Sequence, residues 1–264
     1  MNLKLMSTPY LLWITIFSIV PMFFVVYYSL TDIHGNFTLE NFFEIQNYSC
    51  AFLRSIIFSV VSTIISFLIG YPTAYSITKL KKKHQKIIVA LIMLQMWVSF
   101  LLTTYSLMTI MESNGIINRI LGIFGINYPL INTKSAVIIG MVYNCLPYMI
   151  LPIYSSLSKM DPKIIEAAKD LGADKFKIFK KITFPMSIPG VLSGILMVFA
   201  PNMSTFIVSK MLGGNENILI GEIIELKFLG VEYNPRSGSA IAISLMFFIV
   251  LCIELIRYCI YERK

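Results

Sequence analysis

Charge is what this sequence has least of. Asp, Glu, Lys and Arg make up 14% of its 264 residues, against roughly 25% in a soluble globular domain. So few charges cannot coat a water-soluble protein of this size. The 56% of hydrophobic residues and a mean hydropathy of +0.75 point instead to a chain solvated by lipid. Histidine is scarce too, and His34 and His84 lie far apart. The four cysteines, Cys50, Cys145, Cys252 and Cys259, form no C-x-x-C pair and no metal spacing. No metal site is indicated, and Cys145 and Cys252 read as packing residues within apolar runs. No G-x-x-x-x-G-K-[ST] occurs, so the chain has no phosphate cradle of that kind. No catalytic cluster stands out, so an enzyme is not expected.

The remaining charges are segregated. Stretches 5–31, 55–78, 87–111, 135–158, 182–209 and 237–253 contain no Asp, Glu, Lys or Arg. A spanning helix needs about 20 mostly apolar residues, so six transmembrane helices are predicted. Their approximate bounds are 8–30, 55–78, 87–111, 135–158, 184–209 and 237–258, within one membrane domain covering 1–264. β-Barrel strands would be about 10 residues of alternating polarity, a pattern that is absent here. The first run exceeds the ~7–15 residues of a signal-peptide core and has no A-x-A-like cleavage site. It is read as a retained helix. The spans hold no carboxylate, Lys or Arg well inside the membrane, where ion-coupled transporters usually keep ionisable groups.

Orientation follows from the basic residues. Lys4, the five lysines of 79–86, seven in 159–181, and Arg257, Arg263 and Lys264 place 16 of the 22 on one side. The positive-inside rule puts that side, with both termini, in the cytoplasm. The net charge of +8 is then a topology signal, and nucleic-acid binding is not expected of a six-span chain. The outer segment 112–134 is rich in turn residues (Gly115, Gly122, Gly125, Pro129). The segment 210–236 carries ILIGEIIELKF, which suggests a short helix lying at the membrane interface. Prolines 72, 147, 152, 185, 189 and 201 fall in or beside spans. They shape helices, and Pro147 and Pro201 could bend them around a central pathway. Gly190-x-x-x-Gly194 permits close helix approach and is a weak sign of a subunit contact.

One charged segment interrupts the apolar chain. Residues 159–185 contain Asp161 as a plausible N-cap with Pro162 at the first helical position. Gly172 suits the residue just past a helix end, and Asp174 can cap a second short helix. Ile164, Ile165, Ala168 and Leu171 make one apolar stripe, while Phe176, Phe179 and Ile182 are the apolar residues of the second helix. Such a helix suits either a partner's groove or an anionic lipid surface. The motif Glu166-Ala167-Ala168, Gly172, Ile182, Pro185 is similar to the EAA loop of ABC importer permeases, EAA-x3-G-x9-I-x-L-P, with Phe184 in place of Leu. The resemblance narrows with SAVIIGMVYNCLPYMILPIYSSL (135–157), FPMSIPG (184–190) and MLGGNENILIGEII (211–224). These resemble the spermidine/putrescine (polyamine) importer permeases, and weaker likeness extends upstream through LRSIIFSV, GYPTAY and Trp97-x7-Tyr105. Two positions depart from that pattern: Lys210 where an acidic residue is usual, and Thr103 where an Arg is usual.

The resemblance implies an all-α integral membrane protein of the type I, MetI-like permease fold in a bacterial inner or plasma membrane. It implies a homodimeric ABC ATPase docking on the loop, a second homologous permease and an extracytoplasmic polyamine-binding protein. ATP and magnesium would sit on the ATPase, with no cofactor on this chain. Coupling would rest on Glu166, Ala167, Ala168, Gly172, Ile182 and Pro185. A pathway for long cations calls for aromatic faces, and Trp97, Tyr105, Tyr143 and Asn202 are the candidates. An importer for another small substrate (thiamine, ferric ion, an anion) and a self-powered secondary transporter are the alternatives.

Overall fold

The computed structural model describes residues 9–10, 12–123, 130–230 and 233–261. Lys4, Gly125, Pro129, Arg263 and Lys264, used above for charge and turns, lie outside them. The described residues are nearly all helical. Among the described residues the one bridge between extended residues joins Thr31 to Phe37.

The helices are α1 (Leu12–Ser29), α2 (Ser49–Lys79), α3 (Lys82–Trp97), α4 (Phe100–Met111), α5 (Ile116–Ile123), α6 (Lys134–Ser158), α7 (Pro162–Asp170), α8 (Lys175–Ser204), α9 (Ile220–Leu229) and α10 (Pro235–Tyr261). Among the described residues five helices are long and apolar enough to cross a membrane. The sixth candidate is a pair, Lys82–Trp97 and Phe100–Ile120, bent by 96°. A straight third span over 87–111 is therefore not what forms. Val98 and Ser99 are extended, with ψ of 138° and 129°, so the run breaks in its middle. Neither residue is Pro or Gly, which is why the apolar run conceals the break.

The chain divides into two compact units, residues 53–219 and residues 1–52 with 220–264. In the second of these, α1 and α10 pack together and α9 packs on α10. Phe52 meets Phe248 edge-on with ring centroids 5.2 Å apart. The turn after α1 is closed by Asn41, whose side-chain amide donates to the carbonyls of Ser29 and Thr31. α9 is the short helix that the 210–236 segment suggested. It buries Ile220, Glu222, Ile223 and Lys227, and the Lys227 ammonium sits 5.5 Å from the Tyr48 ring centroid.

In the larger unit the heart is α6 against α8, with the 53–79 part of α2 alongside. Ser55, Ser59, Ser62 and Ser66 recur at helical spacing on α2 and are all fully buried. Small residues let backbones approach where lipid gives no hydrophobic drive. Gly190 and Gly194 do the same inside the chain. A Cβ on Gly190 would come within 2.5 Å of the Ser156 Cβ and 2.6 Å of the Pro152 carbonyl, and one on Gly194 within 2.8 Å of the Met149 sulfur. The small-xxx-small pattern thus serves α6–α8 packing, and needs no second subunit to explain it. α6 runs unbroken through Pro147 and Pro152.

Candidate coupling loop and translocation face

α7 is built by local capping. The Asp161 carboxylate accepts from the Lys163 N–H at 3.0 Å, and Pro162 opens the helix. The end is a reciprocal pair of hydrogen bonds: Gly172 N–H to Lys169 O at 2.8 Å and Ala173 N–H to Ala168 O at 3.0 Å. This Schellman arrangement requires a left-handed residue at its turn, and Gly172 has φ of +79°. Asp174 then caps the next helix, accepting from Lys177 N–H at 2.6 Å.

That next helix is not a separate short one. It continues through Phe179–Thr183 as a π turn and on as α8 to Ser204. The π turn ends two residues before Pro185, whose ring would clash with the carbonyl one α-turn back. At the far end Thr205 is extended, so the fifth span stops short of residue 209.

The loop's apolar residues divide between two faces. Ala168 is buried and Ile165 half-buried against the chain's own body. Ile164, Leu171 and Phe176 face outward at 41%, 89% and 70% exposure, with Glu166 and Ala167 exposed beside them. Ile182 is half-buried in the π turn and Pro185 is exposed. The motif therefore combines an outward surface (Glu166, Ala167), an anchor (Ala168), a hinge residue (Gly172) and a helix-entry feature (Ile182, Pro185).

An aromatic cluster ties this entry to α2. Phe179 lies 5.9 Å from Tyr71 and 6.2 Å from Tyr75, and Phe184 lies 5.7 Å from Tyr71, ring centre to ring centre. The Tyr71 hydroxyl is 3.0 Å from the Ser187 hydroxyl. Phe184, the departure from the motif's Leu, is thus a working member of the cluster. The sequence reading did not find this cluster, although Tyr71 and Tyr75 share a face at a spacing of four.

The pathway candidates scatter. Trp97 ends α3 at the bend and is 86% exposed, and Tyr105 on α4 is 58% exposed. Tyr143 lines a cleft of about 270 Å³ with Gln95, Val98, Leu102, Thr103 and Ser106. Neither Trp97 nor Tyr105 lines it. Gln95 donates to the Tyr143 carbonyl at 3.1 Å, and Asn144 donates to the Thr104 hydroxyl at 3.1 Å. These two amides fasten both arms of the bend to α6. Asn202 is elsewhere, buried between helices. It donates to Ser62 at 2.9 Å and accepts from the Cys145 thiol at 3.1 Å, so it joins α8 to α2 and α6. The cleft carries no charge, and Thr103, which stands where an Arg is usual, is one of its walls. Among the described residues no group of three His, Cys, Asp or Glu is placed to hold a metal.

The turn 211–219 explains another motif. Gly214 has φ of +61°, and a Cβ there would meet the Asn132 side chain within 2.9 Å. The Asn217 amide donates to Gly213 O at 2.8 Å and Asn132 O at 3.3 Å. Arg54 donates to the carbonyls of Glu216 and Ile218. The LGG-x-x-N segment is a self-capped turn.

A family model described as the binding-protein-dependent transport system inner membrane component matches residues 66–264. The chain belongs to this family. It is 36% identical over 252 residues to the spermidine/putrescine transport system permease protein PotB of Haemophilus influenzae, covering 91% of this chain and 88% of the relative. It is also 36% identical over 227 residues to the PotB of Escherichia coli, covering 84% and 82%. Among solved structures it is similar to a bacterial ABC transporter involved in import of the acidic polysaccharide alginate. The TM-score is 0.84 at 15% identity, covering 98% of this chain and 95% of that one. The fold is that of a type I ABC importer permease, and the chain is a multi-pass inner-membrane protein.

Proposed function

We propose that this chain is a permease subunit of an ATP-driven importer for polyamines, spermidine or putrescine. The observation that carries the substrate is the 36% identity, over 91% of the chain, to a spermidine/putrescine permease. The loop geometry supports the coupling role. Glu166, Ala167, Ile164, Leu171 and Phe176 make an outward surface that mixes apolar and charged groups, with exposed lysines around it. A homodimeric ABC ATPase would seat this surface in a groove, each copy serving one permease.

In this reading the partner ATPase supplies ATP and magnesium, and this chain catalyses nothing. A second homologous permease completes the pathway, and an external receptor delivers the polyamine. The basic side, with both termini and the loop, faces the cytoplasm. Closure of the ATPase would move α7 and, through Phe179 and Phe184, the packed α2–α8 pair. The bend at Val98–Ser99 and the cleft beside Tyr143 are where the span face opens. Exposed Trp97 and Tyr105 offer ring faces to a cation, each worth about 0.5–2 kcal/mol.

The test is ATP-dependent uptake of labelled spermidine and putrescine by proteoliposomes holding the complete assembly. Thiamine, ferric ion and sulfate serve as competitors. Polyamine uptake that the competitors leave unchanged is expected. Uptake of one of those competitors without polyamine uptake would overturn the substrate assignment.

A further inference from the structure

A pocket of about 220 Å³ lies where the α2–α3 turn, the end of α6 and the start of α7 meet. Tyr75, Thr78, Lys79, Lys82, Ser158 and Ile165 are among its walls. Its frame is fixed by Gln85, which is buried. The Gln85 amide donates to Thr78 O at 3.1 Å and Leu80 O at 2.8 Å, and its carbonyl accepts from the Tyr154 hydroxyl at 3.1 Å.

Its charge is one-sided. No carboxylate lines the pocket, and the sequence has none between Glu44 and Glu112. The Lys79 ammonium lies over the Tyr75 ring, 4.8 Å from its centre. Lys82 opens α3 with Lys83 next, on a 16-residue helix whose first turn has no acidic residue and no side-chain cap. Cations at the positive end of a helix dipole are unfavourable. An anion in the pocket would answer the lysines, the dipole and the unpaired first-turn N–H groups together.

The pocket sits at the ends of two apolar helices, α2 and α3, the level where lipid headgroups lie. Ile165 and Pro162 add apolar walls from the coupling loop. We propose that the pocket binds the phosphate of an anionic membrane lipid, which bridges Lys79 and Lys82 to the start of α7. The lipid would then set the resting position of the coupling helix. This rests on the reading that the basic side is cytoplasmic and that α7 couples to an ATPase.

The test counts lipid rather than transport. The chain is purified in phosphatidylcholine nanodiscs doped with phosphatidylglycerol, and retained phosphatidylglycerol is measured by native mass spectrometry. Two double variants are compared, Lys79→Gln with Lys82→Gln inside the pocket, and Lys83→Gln with Lys86→Gln outside it. A basic residue near an anionic surface contributes about fivefold in affinity. The pocket pair should therefore lose on the order of tenfold or more, and the outer pair much less. Equal losses from both pairs would mean diffuse attraction and overturn the site. Displacement of the lipid by inorganic phosphate as readily as by more phosphatidylglycerol would overturn the lipid as its source. A chain that retains phosphatidylglycerol in this pattern but imports no spermidine would sink the polyamine reading alone.

Discussion

Gly172 offers the cleanest perturbation in the coupling loop. Its φ of +79° is left-handed, yet a Cβ there would meet nothing within 4 Å. Any effect of substitution is therefore backbone strain, not collision. An L-residue in that conformation costs about 1–2 kcal/mol, and Asn less than most. α7 has nine residues and is too short to hold itself, so its two closing bonds at Lys169 and Ala168 matter. One or two kcal/mol shifts a local equilibrium by a factor of about 5–30. The order of damage should be Asn, then Ala, then Val. The assays are ATPase co-purification and spermidine uptake in reconstituted vesicles, with hydrogen exchange at Ala173 as the local readout. Exchange should speed up in the same order as uptake falls. If all three variants exchange and transport like wild type, the left-handed cap does not hold the docking surface. If all three fail equally, shape rather than strain is being read.

Three further outcomes follow from other parts of the molecule. Trp97→Phe should keep more polyamine uptake than Trp97→Leu, because only the former keeps a π face; equal uptake would reduce Trp97 to packing or lipid contact. Alkaline phosphatase fused after Asn215 should be active and fused after Lys175 inactive, and the reverse pattern would overturn the charge-based orientation. Gly190→Ala forces α6 from α8 at a contact of 2.5 Å and should lower stability by roughly 1–3 kcal/mol, seen as a lower melting temperature in detergent; a melting temperature matching Ser193→Ala would show the contact to be soft.

The coupling loop was legible because capping is local chemistry. Asp161, Pro162, Gly172 and Asp174 do in the structure what their types and spacing suggest. The helical class was legible because charge is excluded from long runs. The 96° bend was not, since Val98 and Ser99 break the helix without Pro or Gly, and the bonds that tie its two arms, at Gln95 and Thr104, reach α6 far along the chain. Polar residues within spans were ambiguous for a related reason. Asn202 and Tyr143 read alike as candidates, yet one is satisfied between helices and the other lines a cleft. Only the packing partners distinguish them, and those come from far along the chain. The serine stripe on α2 escaped the sequence reading, because its burial shows only with the other helices packed against it.

The continuity of Lys175–Ser204 has a mechanical consequence. Thirty helical residues make a lever about 45 Å long, with one arm at the candidate coupling loop and the other among the spans. A tilt of only ~5° at the loop displaces the far end by ~4 Å, more than the diameter of a water molecule. Stiffness decides whether that displacement arrives. The wide turn at Phe179–Thr183 departs from α-helical hydrogen bonding near the loop end, and the rings of Tyr71, Phe179 and Phe184 pack around it. Softening that brace would leave the two ends free to move out of step, which in the proposed assembly would uncouple loop motion from the spans.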